Sequence, residues 1–156
     1  MHTKKIITEL EFYNSEVISL GEEHLNACVE LDLLALKGLW TKKQWSLELT
    51  NNRRISIGVV RDSILLAMAS GWIITNELHI TAVAVHPLHR RKGLGRLILL
   101  SLLDKARMSG TKNTTLEVKR NNEAAIEMYK SLGFRVGGQR PNFYKDGSDA
   151  LILWLD

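Results

Sequence analysis

The chain of 156 residues has one cysteine, two prolines, only 6% aromatics and no long hydrophobic run. A single thiol excludes an internal disulfide framework, and Cys28 stands among apolar residues of a predicted helix, where it reads as a buried, inert side chain. With prolines only at 87 and 141, and no repeat or low-complexity stretch, nothing marks a linker. The longest apolar runs, Ile64–Ala69 and Leu97–Leu100, are far too short to cross a bilayer, and Met1–Asn14 lacks the apolar centre of a signal peptide. These absences predict a cytoplasmic protein with no membrane role. The few aromatics do not interleave with the basic residues, unlike the stacking platforms that bind single-stranded nucleic acid.

What is present is ordinary globular material: 45% hydrophobic and 24% charged residues. A domain of this length buries about two thirds of the surface of its unfolded chain, so a real core is expected. Residues 1–156 read as one domain, with 1–14 as a less ordered N-terminal extension. The formal net charge is a modest +4, but Arg90, Arg91, Lys92 and Arg96 crowd around Gly93 and Gly95. Such a cluster fits an anion site; by charge alone it fits a solvated face or a nucleic-acid patch equally.

Periodicity divides the chain into two styles. Ser15–Leu20 alternates like a strand, Leu25, Val29, Leu33 and Leu36 recur at helical spacing, and Thr41 with Gln44 makes a capping box for a helix over 41–49. Ile55–Val60, Ile64–Ile74 and Leu78–Val85 then predict an antiparallel meander. Beyond it come a helix over 95–109 stopped by Gly110, a strand at Thr114–Lys119, and a helix over 123–132 stopped by Gly133. Three β-like segments follow, at Phe134–Val136, Asn142–Tyr144 and Ala150–Leu155. Hairpins followed by a β-helix-β unit predict an α/β domain with a mixed sheet and packed helices.

The segment richest in chemistry is the turn from the strand ending at Val85 into the helix near Gly95. A helix N-terminus offers free N–H groups and a favourable dipole, and glycine lets a diphosphate approach the backbone. Two glycines alone also fit a plain tight turn. A Walker loop would need G-x-x-x-x-G-K-[ST], and a dinucleotide fingerprint would need a third glycine where Ile98 stands. Neither pattern is met.

Arg90-x-x-Gly93-x-Gly95, placed between strand and helix, resembles the coenzyme A signature of the GNAT superfamily of N-acyltransferases. Leu116-Glu117-Val118-Lys119, Asn122, Ala125, Tyr129, Gly133-Phe134, Arg140-x-Asn142-Phe143-Tyr144 and Asp149-Ala150 are similar to its bacterial RimI type, the ribosomal-protein-alanine N-acetyltransferases. Weaker likeness extends to Gly38–Trp45 on the acceptor side. The resemblance implies a GNAT-like, mostly antiparallel central sheet with helices on both faces. It implies acetyl-CoA as co-substrate, no metal, and the N-terminal segment of a ribosomal protein as acceptor, with no direct nucleic-acid role. It also implies that the Val83-Ala84-Val85 backbone lies along the acyl arm, that Arg91, Lys92, Gly93, Leu94, Gly95 and Arg96 cradle the pyrophosphate, and that Asn122 contacts the coenzyme. Glu117 becomes the general base and Tyr129 the general acid of a direct transfer within a ternary complex.

From the residues alone, Glu117 fits a sheet-surface glutamate and Tyr129 a core aromatic beside Ile126 and Leu132. A carboxylate between the apolar Leu116 and Val118 should titrate high unless it is partnered. Phe143-Tyr144 departs from the family's Tyr-Tyr, and Lys119-Arg120-Asn121-Asn122 from its Arg-x-Ser-Asn, which bears on peptide preference. A GNAT enzyme acting on a small amine or a lysine side chain, and a non-enzymatic RNA-binding module, are the competing functions. His79, His86 and His89 lack the Cys or acidic partners of a metal site.

Overall fold

The computed structural model describes residues 15–156; the expected N-terminal extension over 1–14 lies outside the described residues. Seven strands, β1 (Ser15–Ser19), β2 (Arg54–Arg61), β3 (Ile64–Ile74), β4 (Glu77–Val85), β5 (Asn113–Lys119), β6 (Arg135–Arg140) and β7 (Ala150–Leu155), form one sheet in the order β1-β2-β3-β4-β5-β7-β6. The meander is as predicted, and β4 with β5 is the single parallel pair. Helices α1 (Leu25–Ala35) and α2 (Lys42–Thr50) cover one face; α3 (Leu94–Met108) and α4 (Glu123–Ser131) cover the other. No helix among the described residues is long and apolar enough to cross a membrane.

Local chemistry explains most boundaries. Thr41 Oγ1 accepts from the Gln44 amide and Gln44 Oε1 from the Thr41 amide, closing the capping box of α2. Gly133 and Gly110 sit at φ +101° and +95° just past α4 and α3, the left-handed position that stops a helix. Cys28 is fully buried under α1, and that burial pushes its thiol pKa up to about 12, as expected of an inert side chain.

Two expectations need correction. Asn142–Tyr144 is not a strand: Pro141 has no N–H to give a ladder, Asn142 turns to φ +53°, and Asp149 Oδ1 accepts its amide at 3.0 Å. A Tyr144–Ser148 turn then closes the loop before β7. On α1 the apolar spacing pointed at Leu33, yet Leu33 is 63% exposed, and the buried positions are Cys28, Leu31 and Asp32. The missed member is a charged residue with an internal job.

The sheet carries one irregularity with functional weight. Ser70 pairs with Ala82 but Gly71 pairs with Ile80, so Thr81 is an extra residue in β4. This bulge inverts the side-chain alternation. Leu78, Ile80, Val83 and Val85 all pack toward α3 and α4, whereas Ala82 and Ala84 face α1 and α2. Beyond Ile80–Leu116 the β4–β5 ladder stops, leaving the two strands apart at their C-terminal ends.

Candidate active site

That opened seam is where the sequence-named residues of β4 lie. The His86 amide donates to Leu66 O at 2.7 Å, which sets His86, and by alternation Ala84, toward β3. The backbone groups of Val83 and Val85 therefore face the seam, where β5 offers no ladder partner. Val85 O takes a hydrogen bond from Arg90 Nε at 3.3 Å, and the Arg90 guanidinium also reaches Ala35 O at 3.4 Å. Arg90 thus ties the turn to α1.

Arg91 at φ +61° and Gly93 at φ +86° are both left-handed, so the chain doubles back before α3 begins at Leu94. Leu97 is the first amide to bond back into the helix, to Gly93 O at 3.0 Å. The amides of Leu94, Gly95 and Arg96 have no intrahelical acceptor, and Gly93 has no side chain to cap them. Leu94 is 1% exposed, so only its backbone is available to a ligand. Arg91, Lys92 and Gly93 are exposed. Arg96 is turned aside, donating to Ser131 Oγ at 2.9 Å, and the Asn122 side-chain Oδ1 caps α4 by accepting from the Ala125 amide at 3.2 Å. Each thus has a structural partner.

On β5, Leu116 and Val118 enter the core under α3 and α4, so Glu117 points to the opposite face. Its side chain is 14% exposed and is partnered twice. Oε2 lies 2.7 Å from His79 Nε2, and Oε1 lies 3.5 Å from Arg140 Nε. The His79 hydrogen bond, assisted by the Arg140 charge, outweighs burial and holds the Glu117 carboxyl below its ordinary range. The same bond raises His79. The sequence had set His79 aside as a metal candidate; 38 positions from Glu117, only sheet register brings it alongside.

Tyr129 is 7% exposed, packs edge-on to Phe134 at 5.6 Å, and its hydroxyl pKa is pushed up to about 12 by burial. It belongs to the α3/α4 side, with no hydrogen bond to Glu117. Glu117 and Tyr129 thus lie on opposite faces of the sheet. Tyr144 lies close enough to both for charge to be felt: Glu117 adds to the burial that raises Tyr144, and Tyr144 adds to that raising Tyr129.

On the Glu117 face a cleft of about 340 Å³ opens between Trp40, Gln44, Leu47, Glu48, Arg54, Trp72 and Thr81. Trp72 is the cross-strand neighbour of His79, so the cleft adjoins the carboxylate pair. Arg54 donates to the buried Glu48 at 2.6 Å and covers the Trp72 ring at 3.2 Å. Asp32 holds the near wall, accepting from the Leu39 and Trp40 amides and from Trp45 Nε1.

An acetyltransferase (GNAT) family model matches residues 22–134, covering the seam, the glycine turn, Glu117 and Tyr129. The chain belongs to the GNAT acetyltransferase family. This GNAT chain is 31% identical over 142 residues to the [ribosomal protein bS18]-alanine N-acetyltransferase of Escherichia coli strain K12, covering 89% of this chain and 95% of that protein. The crystal structure of the ribosomal-protein-S18-alanine N-acetyltransferase from Escherichia coli superposes with a TM-score of 0.84 at 30% identity, over 90% of this chain and 92% of that one. Arabidopsis thaliana NAA60, solved with acetyl-CoA, shares the fold at a TM-score of 0.80 and 13% identity, over 90% of this chain and 97% of its own.

Within this GNAT acetyltransferase, the structure groups Val83, Val85 and the Arg91–Gly95 turn around one end of the seam and sets Glu117 on the α1/α2 face. Ala84 faces β3, and its side chain packs in the α1/α2 core. The residues that sequence reasoning missed are His79 as partner of Glu117, Asp32 as organiser of the cleft wall, and the Glu48–Arg54 pair. Asp32 left one readable signal: a charged residue between Leu31 and Leu33 in a helix one turn ahead of a tryptophan-bearing loop.

Proposed function

We propose that this protein acetylates the N-terminal amine of a protein in the cytoplasm, using acetyl-CoA, with the N-terminal alanine of a ribosomal protein as acceptor. The observation that carries the reading is the placement of a partnered carboxylate, Glu117, beside an open sheet seam that leads from an uncapped glycine turn. The likeness to alanine N-acetyltransferases over nearly the whole chain supports the choice of acceptor. We read residues 1–156 as one catalytic domain.

Each part of the site has a task in this reaction. The Leu94, Gly95 and Arg96 amides, with Arg91 and Lys92 nearby, suit a diphosphate, because the left-handed Gly93 clears the approach. Asn122, at the start of α4, would contact the coenzyme. The N–H groups of Val83 and Val85 face the seam, where they can hold an acyl arm and stabilise negative charge growing on its carbonyl oxygen. Acetyl-CoA supplies the activated acyl group as a thioester.

An N-terminal amine has a reference pKa of about 7.7–8.0 and arrives mostly protonated at neutral pH, so a base must take its proton before it attacks. Glu117 occupies that place, on the face where the cleft would admit a peptide. Tyr129 keeps its proton at neutral pH and stands on the coenzyme side, where it would protonate the departing thiolate. The acetyl group passes directly from sulfur to nitrogen, so no enzyme nucleophile is required, and Cys28 is sealed in the core.

The test is incubation with acetyl-CoA and a library of peptides varied at their first residues, with products located by mass spectrometry. Acetylation of the α-amine of alanine-first peptides is expected, and Glu117→Gln should lower turnover by about 10²–10⁴ while coenzyme affinity changes less than about twofold. Product on lysine side chains alone would overturn the choice of acceptor.

A further inference from the structure

His79 and Glu117 form a built pair within the seam's acceptor face, and nothing in the general scheme of acetyl transfer calls for the histidine. The charged and titratable groups facing the pair are Glu77 on the same strand as His79, Arg140 on β6 and Tyr144 in the β6–β7 loop. Across from His79 on β3 stands the neutral Trp72. Oε2 of Glu117 is occupied by His79 Nε2 at 2.7 Å, whereas Oε1 has only Arg140 Nε at 3.5 Å, too far for a strong bond. Oε1 is therefore the atom free to meet an amine. His79 Nδ1 has no hydrogen-bond partner among the described residues, and the side chain is 36% exposed, so this nitrogen exchanges protons with water.

We propose that His79 is a positioning residue for acetyl transfer: its Nε2–H fixes Glu117 so that Oε1 receives the amine's proton, and loss of the second ring proton, from Nδ1, turns the carboxylate into a competent base. The inference rests on the assignment of Glu117 as base made above. The proton balance is simple. Nε2 keeps its hydrogen throughout and Nδ1 gives its proton to water as pH rises. The ammonium passes one proton to Oε1 before it attacks, the adduct nitrogen gives its second proton to water as the C–S bond breaks, the thiolate takes a proton from Tyr129, and Glu117 returns its proton to Tyr129 through water. While the ring is doubly protonated, its positive charge stabilises the ionised carboxylate and lowers its proton affinity. Once the ring is neutral, the bond that orients Glu117 remains and the opposing charge is gone. The hydrogen bond to Glu117 raises His79, so this change falls above the ordinary histidine value.

The experiment is the pH dependence of kcat/KM, using whichever amine the enzyme acetylates, beside an NMR titration of the His79 ring in the free enzyme. Because the ammonium's first proton stays in the site on Oε1, only the ionisation of His79 governs this limb, and log kcat/KM should have a limiting slope of about 1 between roughly pH 5 and 6.5 in the wild type. His79→Gln keeps an N–H donor but no titrating charge, and its slope should fall to about 0. His79→Leu, which loses the donor as well, should drop plateau kcat about tenfold further with coenzyme Kd unchanged. In Glu117→Gln the ring pKa should move down toward its ordinary value. A wild-type slope near 0, or a ring titration that ignores Glu117→Gln, would overturn the role of His79. Failure on alanine peptides with success on another amine overturns the acceptor assignment instead and leaves the slope readable.

Discussion

Asp32 is 1% exposed and accepts three hydrogen bonds, from the Leu39 amide at 2.7 Å, the Trp40 amide at 3.0 Å and Trp45 Nε1 at 2.7 Å. Asp32→Ala would orphan all three donors. Trp45 is fully buried, so its indole N–H has no route to water and should cost about 1–3 kcal/mol. The two amides lie in a half-exposed loop, where water can replace the carboxyl group, and each should cost about 0.5–1.5 kcal/mol. The total is roughly 2–6 kcal/mol, with a centre near 4. For a protein of this size each kcal/mol moves Tm by about 2–4 °C, so a drop of roughly 8–16 °C is expected at that centre.

Asp32→Asn keeps the shape and one oxygen. That oxygen can serve Trp40 and Trp45 together, since both bond to Oδ2, while the new NH₂ group opposes the Leu39 amide. A loss of about 1–3 kcal/mol is expected. Denaturant unfolding at fixed pH, with m-values compared to confirm a common transition, measures both variants. Because Asp32 organises the Trp40 side of the cleft and not the glycine turn, surviving Asp32→Ala protein should show a raised acceptor KM with an unaltered coenzyme Kd. An Asp32→Ala variant within about 0.5 kcal/mol of wild type would refute the reasoning, because surface-like tolerance is incompatible with a buried carboxylate that holds a buried indole N–H.

Three further outcomes are expected. Gly93→Val forces a β-branched residue to φ +86°, so calorimetry should find coenzyme affinity lowered more than tenfold beyond a strain cost of about 1–2 kcal/mol in stability, and intact affinity would mean that the turn holds no diphosphate. Tyr129→Phe keeps the ring against Phe134, so Tm should barely move while kcat falls by about 10–100-fold; an unchanged kcat would leave Tyr129 with a packing role only. For stability, Glu117 titrates in the fold below its ordinary 4.5, so its contribution is present above that value and is lost as pH falls through the folded pKa. His79 titrates above its ordinary 6.5, so its contribution is complete below 6.5 and is lost as pH rises through the folded pKa. The pair contributes most between about pH 4.5 and 6.5; the cost of Glu117→Gln in denaturant unfolding should peak there and shrink as pH rises through the raised His79 pKa, and a pH-independent cost would show that the two do not titrate together.

The parts of the molecule legible in the residues are those whose causes lie within a few positions. The capping box at Thr41 and Gln44, the left-handed stops at Gly110 and Gly133, and the apolar stripe of α3 are local bargains between side chain and backbone, so their spacing announces them. The glycine turn belongs here too, because uncapped amides at a helix start follow from Gly93 having no side chain. The run Asn142–Tyr144 misled because its residues suit a strand, whereas Pro141 before it and Asp149 seven positions beyond make it a loop.

Tertiary structure alone decided the rest. The alternating burial of Glu77–Val85 reads as an uninterrupted strand, and only pairing with β3 exposes Thr81 as the bulge that turns Val83 and Val85 toward the same core as Leu78. Glu117 looked like a carboxylate with no partner, because His79 and Arg140 arrive from strands 38 positions before and 23 after it. Asp32 gains its partners only when the loop beyond α1 folds its amides back onto it. The amino-acid sequence determined the helices, the turn chemistry and the family, since these depend on short-range spacing. Register and strand separation determined the chemistry of the site, because a pKa and a hydrogen bond depend on distance in space, and the chain reaches those distances only when the sheet is assembled.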